Sequence, residues 1–373
     1  MQRGRTLRER VLSCLEELGG LQSLVPPGQT VLLKPNLVMD RPHSSGAITN
    51  PALLDILLDA LLRQASPREV IVGEGAAAHC STEKAFSVSG VDKIAQKYGV
   101  RLVDLQKDNY VQVSVPRGKA LKQVEVARTV LEADCLINLP VLKMHCQTQV
   151  TIGLKNLKGC ISDREKKRFH SLELEQCIAD LNTVLSVQLV VVDATLGSFA
   201  WEGGGDPVRL DTVLAGTNQV SVDAVAASLL GYHPGEIEHI RLSEAHGLGT
   251  ARREQIQVLH PEKLEGISFP AEFRCGVQYR VPGLQVVEKG TCTPCLASFL
   301  AATRRLEKER IYLPGTAYLG QRLTEADLET LGGQGKGLGI GNCGARLVGQ
   351  EEAVWGCPPE GWQVYNFLKG MVR

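Results

Sequence analysis

The chain has 373 residues, with 41 lysines and arginines balancing 41 aspartates and glutamates. Zero formal net charge excludes a global basic field that would draw it to nucleic acid or to an anionic membrane surface, so clustered lysines are local features. The length allows two domains, and no apolar run approaches the roughly 20 residues that span a bilayer.

The N-terminal stretch lacks an apolar signal core and a small-residue cleavage site. Leu7, Val11, Leu12 and Leu15 recur instead at helical spacing. A cytoplasmic location is the expectation, with no membrane and no nucleic-acid partner. The eleven cysteines then read as reduced thiols, some of them metal ligands, and not as a disulfide framework.

Thr30 to Leu33 reads as a strand delivering Lys34, Pro35 and Asn36 to a loop. Asn50 before Pro51 opens a helix with an N-cap and a proline in its first turn. The strand Glu69 to Val72 ends in Gly73, Glu74 and Gly75 before a helix at Ser81. That is the layout of a phosphate-binding unit, but Ala77 and Ala78 break the dinucleotide fingerprint, and plain tight-turn geometry is the better reading. Arg101 to Leu105 is another strand, and Tyr110 to Val126 alternates as a hairpin does.

The apolar run Cys135 to Leu139, closed by Pro140, reads as a buried strand. Just past it come Lys143 and His145, then a helical segment carrying Lys155, Asn156 and Lys158 with Gly159 as its stop, and finally His170 at the end of the charged DREKKRFH loop. Leu172 to Leu185 is helical. The strand from Gln188 ends in a carboxylate, Asp193, and a glycine-rich loop from Trp201 to Pro207 leads to a strand near Thr212 to Ala215. Ser221 to Leu230 reads as a helix with Asp223 in its first turn.

Strand and helix alternate throughout, which argues for an α/β fold, a mostly parallel doubly wound sheet. Regular periodicity fades over Val258 to Pro270. The expected division is an α/β domain over 1–258 and a smaller C-terminal cysteine-rich domain over 259–373.

In an open sheet of this kind, ligands bind outside the carboxyl ends of the strands. Lys34, Lys143, Lys155 and Lys158 follow such ends or share one helical face, and lysine suits phosphate or carboxylate. A small anionic ligand in a Lys/His-lined crevice is therefore expected, oriented by Asn36 and Asn156. Lys143, Lys155, His145 and His170 are the candidate catalytic groups, with His145 as general acid/base. Asp193 and Asp223 are candidates for substrate binding and, with Asp206, for a divalent cation, and all three equally suit turn and helix capping. Cys146, beside His145, is a candidate reactive thiol, whereas Cys14, Cys135 and Cys177 read as small core residues.

The C-terminal region carries Cys292 and Cys295 in CTPC, Cys343 in GIGNCGAR and Cys357 in GCPP, while Cys275 stands apart. Two thiolates two residues apart, with two more from glycine- or proline-rich loops, complete four-thiolate ligation of one 4Fe-4S cluster. Structural zinc requires the same ligand type and is the alternative. A single CxxC with two isolated cysteines, the last followed by proline, favours the cluster.

The motifs LLKPN, LPVLKMH, TIGLKNLKG, the later His170, GGGDP and VSVDAVA occur in order over residues 28–250. Together they resemble the signature of the prokaryotic family known as domain of unknown function 362, many members of which carry iron–sulfur cysteine motifs. The GCPP string is also similar to a ligand motif of hydrogenase small subunits and the related complex I subunit, where the cysteine holds a cubane cluster. The family is named for the absence of a settled reaction; the cysteines and the crevice together lead to the expectation of an iron–sulfur oxidoreductase, its cluster transferring electrons to or from a partner or acting at the substrate as a Lewis acid. The residues leave open a redox-silent isomerase or lyase with zinc, or a non-catalytic cluster or metal carrier.

Overall fold

The computed structural model describes residues 6–145, 147–199, 203, 206–264, 281–329 and 337–372. Cys146, Cys275 and most of the 201–205 loop lie outside them. The chain divides into two compact units, Met1–Lys166 with Glu175–Cys275, and Lys167–Leu174 with Gly276–Arg373.

The first unit opens with α1 (Leu7–Glu17), whose capping box pairs Thr6 with Glu9 and whose Val11 and Leu15 are buried. After the one-turn α2 (Leu21–Leu24) come β1 (Thr30–Pro35) and α3 (Pro51–Gln64). Asn50 caps α3 by accepting the Ala52 N–H at 3.0 Å. Next are β2 (Glu69–Glu74), α4 (Thr82–Ser89), α5 (Val91–Tyr98), β3 (Arg101–Asp104), the antiparallel pair β4 (Tyr110–Ser114) and β5 (Gln123–Ala127), and α6 (Arg128–Glu132). The central stretch contributes β6 (Cys135–Leu139), the small antiparallel pair β7 (Lys143–His145) and β8 (Gln149–Thr151), α7 (Gly153–Asn156) and α8 (Asp163–Ser171). Then follow α9 (Leu174–Asn182), β9 (Leu189–Phe199), β10 (Asp206–Gly216), α10 (Gln219–Leu229) and α11 (Glu238–Ala245).

The main sheet runs β10-β9-β6-β1-β2-β3. All its pairings are parallel except that of the edge strand β10. Helices cover both faces, and the central strands β1, β2 and β6 are buried almost throughout, which is why they read as continuous apolar runs. One core joins Val31, Leu33, Val72, Ile137 and Val191 of the sheet to Leu53, Leu54 and Leu57 of α3 and to Val11 and Leu15 of α1.

Three elements differ from their sequence expectations. The strand expected to end at Asp193 continues as β9 to Phe199, so that carboxylate lies within the strand. The charged DREKKRFH segment, expected as a loop, is the helix α8. The segment carrying Lys155 and Lys158 is a single α-turn followed by a 3-10 turn over Leu157–Cys160. Asp223 takes the N–H groups of Gly153 and Leu154 at 2.8 and 2.9 Å. Gly159 is pressed against buried side chains, so the turn is pinned at both ends and a regular helix has no room to extend.

The second unit has its own sheet, ordered β11 (Leu284–Glu288), β12 (Gly315–Leu319), β13 (Gly337–Ile340) and β14 (Ala353–Val354), all parallel. It also holds α12 (Thr293–Lys308), α13 (Ala326–Glu329), α14 (Gly341–Ala345) and α15 (Gly361–Gly370). Phe299 and Leu306 of α12 and Val364 and Leu368 of α15 close a core on Ala317, Leu319 and Ile340 of this sheet.

Candidate functional sites in the two units

At the carboxyl ends of β1, β2 and β6 lies a buried polar network. The Lys34 ammonium is fully buried and donates to Glu74 Oε1 at 2.8 Å, the Pro35 carbonyl at 3.1 Å and Asn156 Oδ1 at 3.3 Å. Its three hydrogens are thereby used. Glu74, which the sequence reading passes over as part of a glycine turn, is the hub: it also accepts the N–H groups of Gly75 and Leu37. A buried ion pair persists only when its remaining lone pairs are satisfied in this way. The one available sequence signal is a carboxylate closing an apolar strand, the same signal that singles out Asp193.

Lys143, on β7, donates to Asn36 Oδ1 at 2.8 Å and to the Ala47 carbonyl at 2.7 Å. Asn36 Nδ2 donates to Asn156 Oδ1, and Asn156 Nδ2 donates to Asn138 Oδ1, both at 2.7 Å. Asn138 continues to Gln219 Oε1 at 2.6 Å, and Gln219 to Asn182 Oδ1 at 2.8 Å. The sequence-identified Lys34, Asn36, Lys143 and Asn156 thus meet in one chain of hydrogen bonds. Asn138, Asn182 and Gln219 extend it. Single amides on buried strands and helix starts carry no spacing pattern, so the sequence gives no sign of them.

His145 is 1% exposed, and its Nδ1 accepts the N–H groups of Gln147 and Thr148 at 3.0 and 3.2 Å. That assigns the ring proton of the neutral imidazole to Nε2. His170 is buried within Lys167–Leu174, a segment of the second compact unit. Asp193 Oδ1 accepts from the Thr195 amide and hydroxyl, and Oδ2 accepts the Asn50 N–H at 2.7 Å, so it braces the start of α3. Burial pushes its carboxyl up. Burial also lifts Asp223, to about 7, against its two backbone donors and the neighbouring His239.

Lys155 and Lys158 are half-buried. Desolvation, and after it the charges of Lys155 and Lys166, lower the Lys158 ammonium well below its ordinary value. Lys166 is itself held by the carbonyls of Gly75 and Ala76 and by Asp163. At the turn after β2, a Cβ on Gly75 would lie 2.6 Å from the Gly159 carbonyl. This glycine serves a close approach of two backbones. Burial pushes the Cys160 thiol up to about 12 and the Cys80 and Cys135 thiols to about 11, which keeps all three protonated at neutral pH.

The second unit gathers its thiols at one edge of its sheet. Cys292 is the N-cap of α12 and Cys295 lies in its first turn, just after β11; Cys343 lies in α14, directly after β13; Cys357 follows β14. Because the strands are parallel, all these loops leave the same edge. Cys295 is raised by its hydrogen bond with Cys292, then by burial, then by the charges of Cys292, Cys357 and Cys343. Cys343 is raised by burial and by Cys292 and Cys357, against Arg346.

The loops are tied together. Asn342 N–H donates to the Gly356 carbonyl at 3.0 Å, and Gly356 N–H donates to Asn342 Oδ1 at 2.8 Å. Gly341 has φ +70°, and a Cβ there would stand 3.1 Å from Cys295 Sγ, so glycine is required on both counts. Among the described residues, no group of three or more His, Cys, Asp or Glu side chains is arranged to hold a single metal ion. The grouping of the four thiols rests on strand topology and on their mutual electrostatic influence.

Fold and sites define an α/β protein with a doubly wound, mostly parallel sheet and a separate unit bearing four thiols. The chain belongs to the family described as domain of unknown function 362, whose pattern matches residues 31–228. The four thiols lie beyond the matched residues. The chain is 27% identical over 261 residues to the Thylakoid-associated protein sll1697 of Synechocystis sp., covering 67% of this chain and 78% of that protein. Among solved structures it is similar to the lactate racemase apoprotein from Thermoanaerobacterium thermosaccharolyticum, with a TM-score of 0.42 and 14% identity over 83% of this chain and 66% of that one. Among the described residues no helix is long and apolar enough to cross a membrane.

Proposed function

We propose that this chain is a cytoplasmic iron–sulfur oxidoreductase. Cys292, Cys295, Cys343 and Cys357 hold one 4Fe-4S cluster, and the lysine-bearing turn of the first unit receives a small anionic substrate. The observation that carries this reading is the convergence of four thiols from three loops at the carboxyl edge of one parallel sheet. The donor set fits in kind: four thiolates are the ligands such a cluster takes, and glycine at 341 keeps a Cβ away from the Cys295 sulfur. When bound, the cluster would supply reversible one-electron transfer, with an electron-transfer protein as partner.

The protein's own residues hold and orient. Lys34 and Glu74 fix the ends of β1 and β2, and the amide chain through Asn36, Asn156 and Asn138 fixes the Lys155–Lys158 turn against them. Lys155 then offers its cation to a phosphate or carboxylate. Zinc held by the same thiols, in a redox-silent isomerase or lyase or in a metal carrier, is the outcome that would replace this reading.

Electron paramagnetic resonance on anaerobically purified protein tests it. A paramagnetic signal is expected on dithionite reduction, lost or altered in Cys295→Ser and in Cys343→Ser. Iron-loaded protein that stays silent on reduction and unaffected by both substitutions would overturn it.

A further inference from the structure

Two tryptophans flank Cys357. Trp355 follows β14 and is 49% exposed, and Trp362 lies in the first turn of α15 and is 62% exposed. The thiol between them is the exposed one of the four, whereas Cys295 is buried. The segment that carries them doubles back on itself: a Cβ on Gly356 would stand 2.6 Å from Pro359 Cα. Its reversal is fastened to the loop of Cys343 by the paired hydrogen bonds between Asn342 and Gly356. A Cβ on Gly341 would meet both Cys295 Sγ, at 3.1 Å, and Pro359 Cδ, at 3.6 Å, so the same reversal also closes on the buried thiol. Trp355 and Trp362 thus leave a tied loop at the carboxyl edge of the second sheet.

Neither indole is needed to hold the unit together. The buried residues of α15 are Val364, Tyr365 and Leu368, and an exposed tryptophan is the side chain most enriched where proteins anchor one another. The surroundings are acidic. Between Arg346 and Lys369 the chain carries Glu351, Glu352 and Glu360 and no lysine or arginine. Glu351 and Glu360 are exposed, and Lys369 is paired with Glu309 at 2.7 Å. A second copy would set these carboxylates against themselves, because a two-fold interface brings the same patch to both sides. An anionic lipid surface would be repelled as well. A basic protein is the occupant whose charge complements the patch.

We propose that the Trp355–Trp362 segment is the docking surface for a small redox protein with a basic rim around its own cofactor. The two indoles anchor that partner, and Glu351 and Glu360 steer it. The proposal names the partner of the electron-transfer reading above and rests on that reading for what the partner does.

The test is calorimetric titration of the full chain with oxidised cytochrome c, a basic haem protein, as the probe. Trp355→Ala and Trp362→Ala are each expected to weaken binding at least ~10-fold, the loss that an interface anchor causes. Raising ionic strength from about 0.02 M to about 0.2 M should also weaken it, because the screening length then falls below ~10 Å. Tyr312→Ala is the control: that ring is 62% exposed, but it precedes β12 and so lies at the opposite edge of the parallel sheet, and binding should not change. Absence of binding, or binding that Tyr312→Ala weakens as much as Trp362→Ala, would overturn the proposal. So would self-association, or adhesion to phosphatidylcholine vesicles, that the tryptophan substitutions abolish while cytochrome c binding is unaffected by them. The heat of binding requires no electron transfer, so the two readings fail separately. Tryptophan-dependent binding by protein with no paramagnetic signal leaves the surface standing and removes the cluster; a reducible signal without binding removes the surface alone.

Discussion

Asp223 shows how a single side chain couples titration to architecture. Its two oxygens hold the N–H groups that open the Lys155–Lys158 turn, at 2.8 and 2.9 Å, and burial raises its carboxyl to about 7. The ordinary value is about 3.9, so the folded state binds this proton more tightly than the unfolded chain. Its contribution to stability is full below about pH 4 and is lost as pH rises through about 7. Asp180 works the other way: burial acts upward but is outweighed by backbone donors from Leu121, Lys119 and Ala120 and by Gln176, so its contribution is lost toward acid. Between about pH 5 and about pH 8, urea unfolding of the unsubstituted protein should lose a few kcal/mol relative to Asp223→Asn. A gap between the two proteins that stays constant over that range would contradict this.

At the scale of elements, the strand ends decide what the lysines can do. Gly159 lets a 3-10 turn sit against the buried Lys34–Glu74 pair. Gly159→Ala would force a Cβ into the Glu74 carboxylate, and disturbing a buried pair costs about 3–5 kcal/mol. Urea unfolding should show a loss of that order; a change within about 0.5 kcal/mol, the size of an ordinary surface substitution, would contradict it. The strands β1, β2, β6 and the first half of β9 were legible because each is an apolar run, and α3 was legible from Asn50–Pro51; that β9 continues past Asp193 to Phe199 was not, because the carboxylate reads as a strand end. The turn at Gly153–Cys160 was not, because its local periodicity is helical while a distant carboxylate, Asp223, sets its start. For the same reason Lys34 and Lys143 look like loop cations in the sequence and prove fully buried: their partners Glu74, Asn36 and Ala47 come from other strand ends, which spacing cannot reveal.

Across the whole molecule, the two compact units separate two chemistries. One, shared with the domain of unknown function 362 family, carries the lysine-bearing turn. The other places Cys292, Cys295, Cys343 and Cys357 in loops that follow strands β11, β13 and β14; that they form one ligand set is the reading proposed from CxxC and GCPP. The sequence did not show that three of the four sheet strands in that unit lead into cysteine loops, because β13 and β14 are only four and two residues long. Nor did it show that Lys167–Leu174, with His170, groups with the C-terminal unit, because that grouping is long-range and the charged DREKKRFH run reads as a loop.

The most direct measurement is the iron, sulfide and zinc content of anaerobically purified protein, with each of the four cysteines replaced by serine in turn. The expected result is about four irons and four sulfides per chain, as four thiolates hold in a cubane cluster, with iron falling in every variant. Stoichiometric zinc without sulfide, or iron indifferent to all four substitutions, would contradict the account.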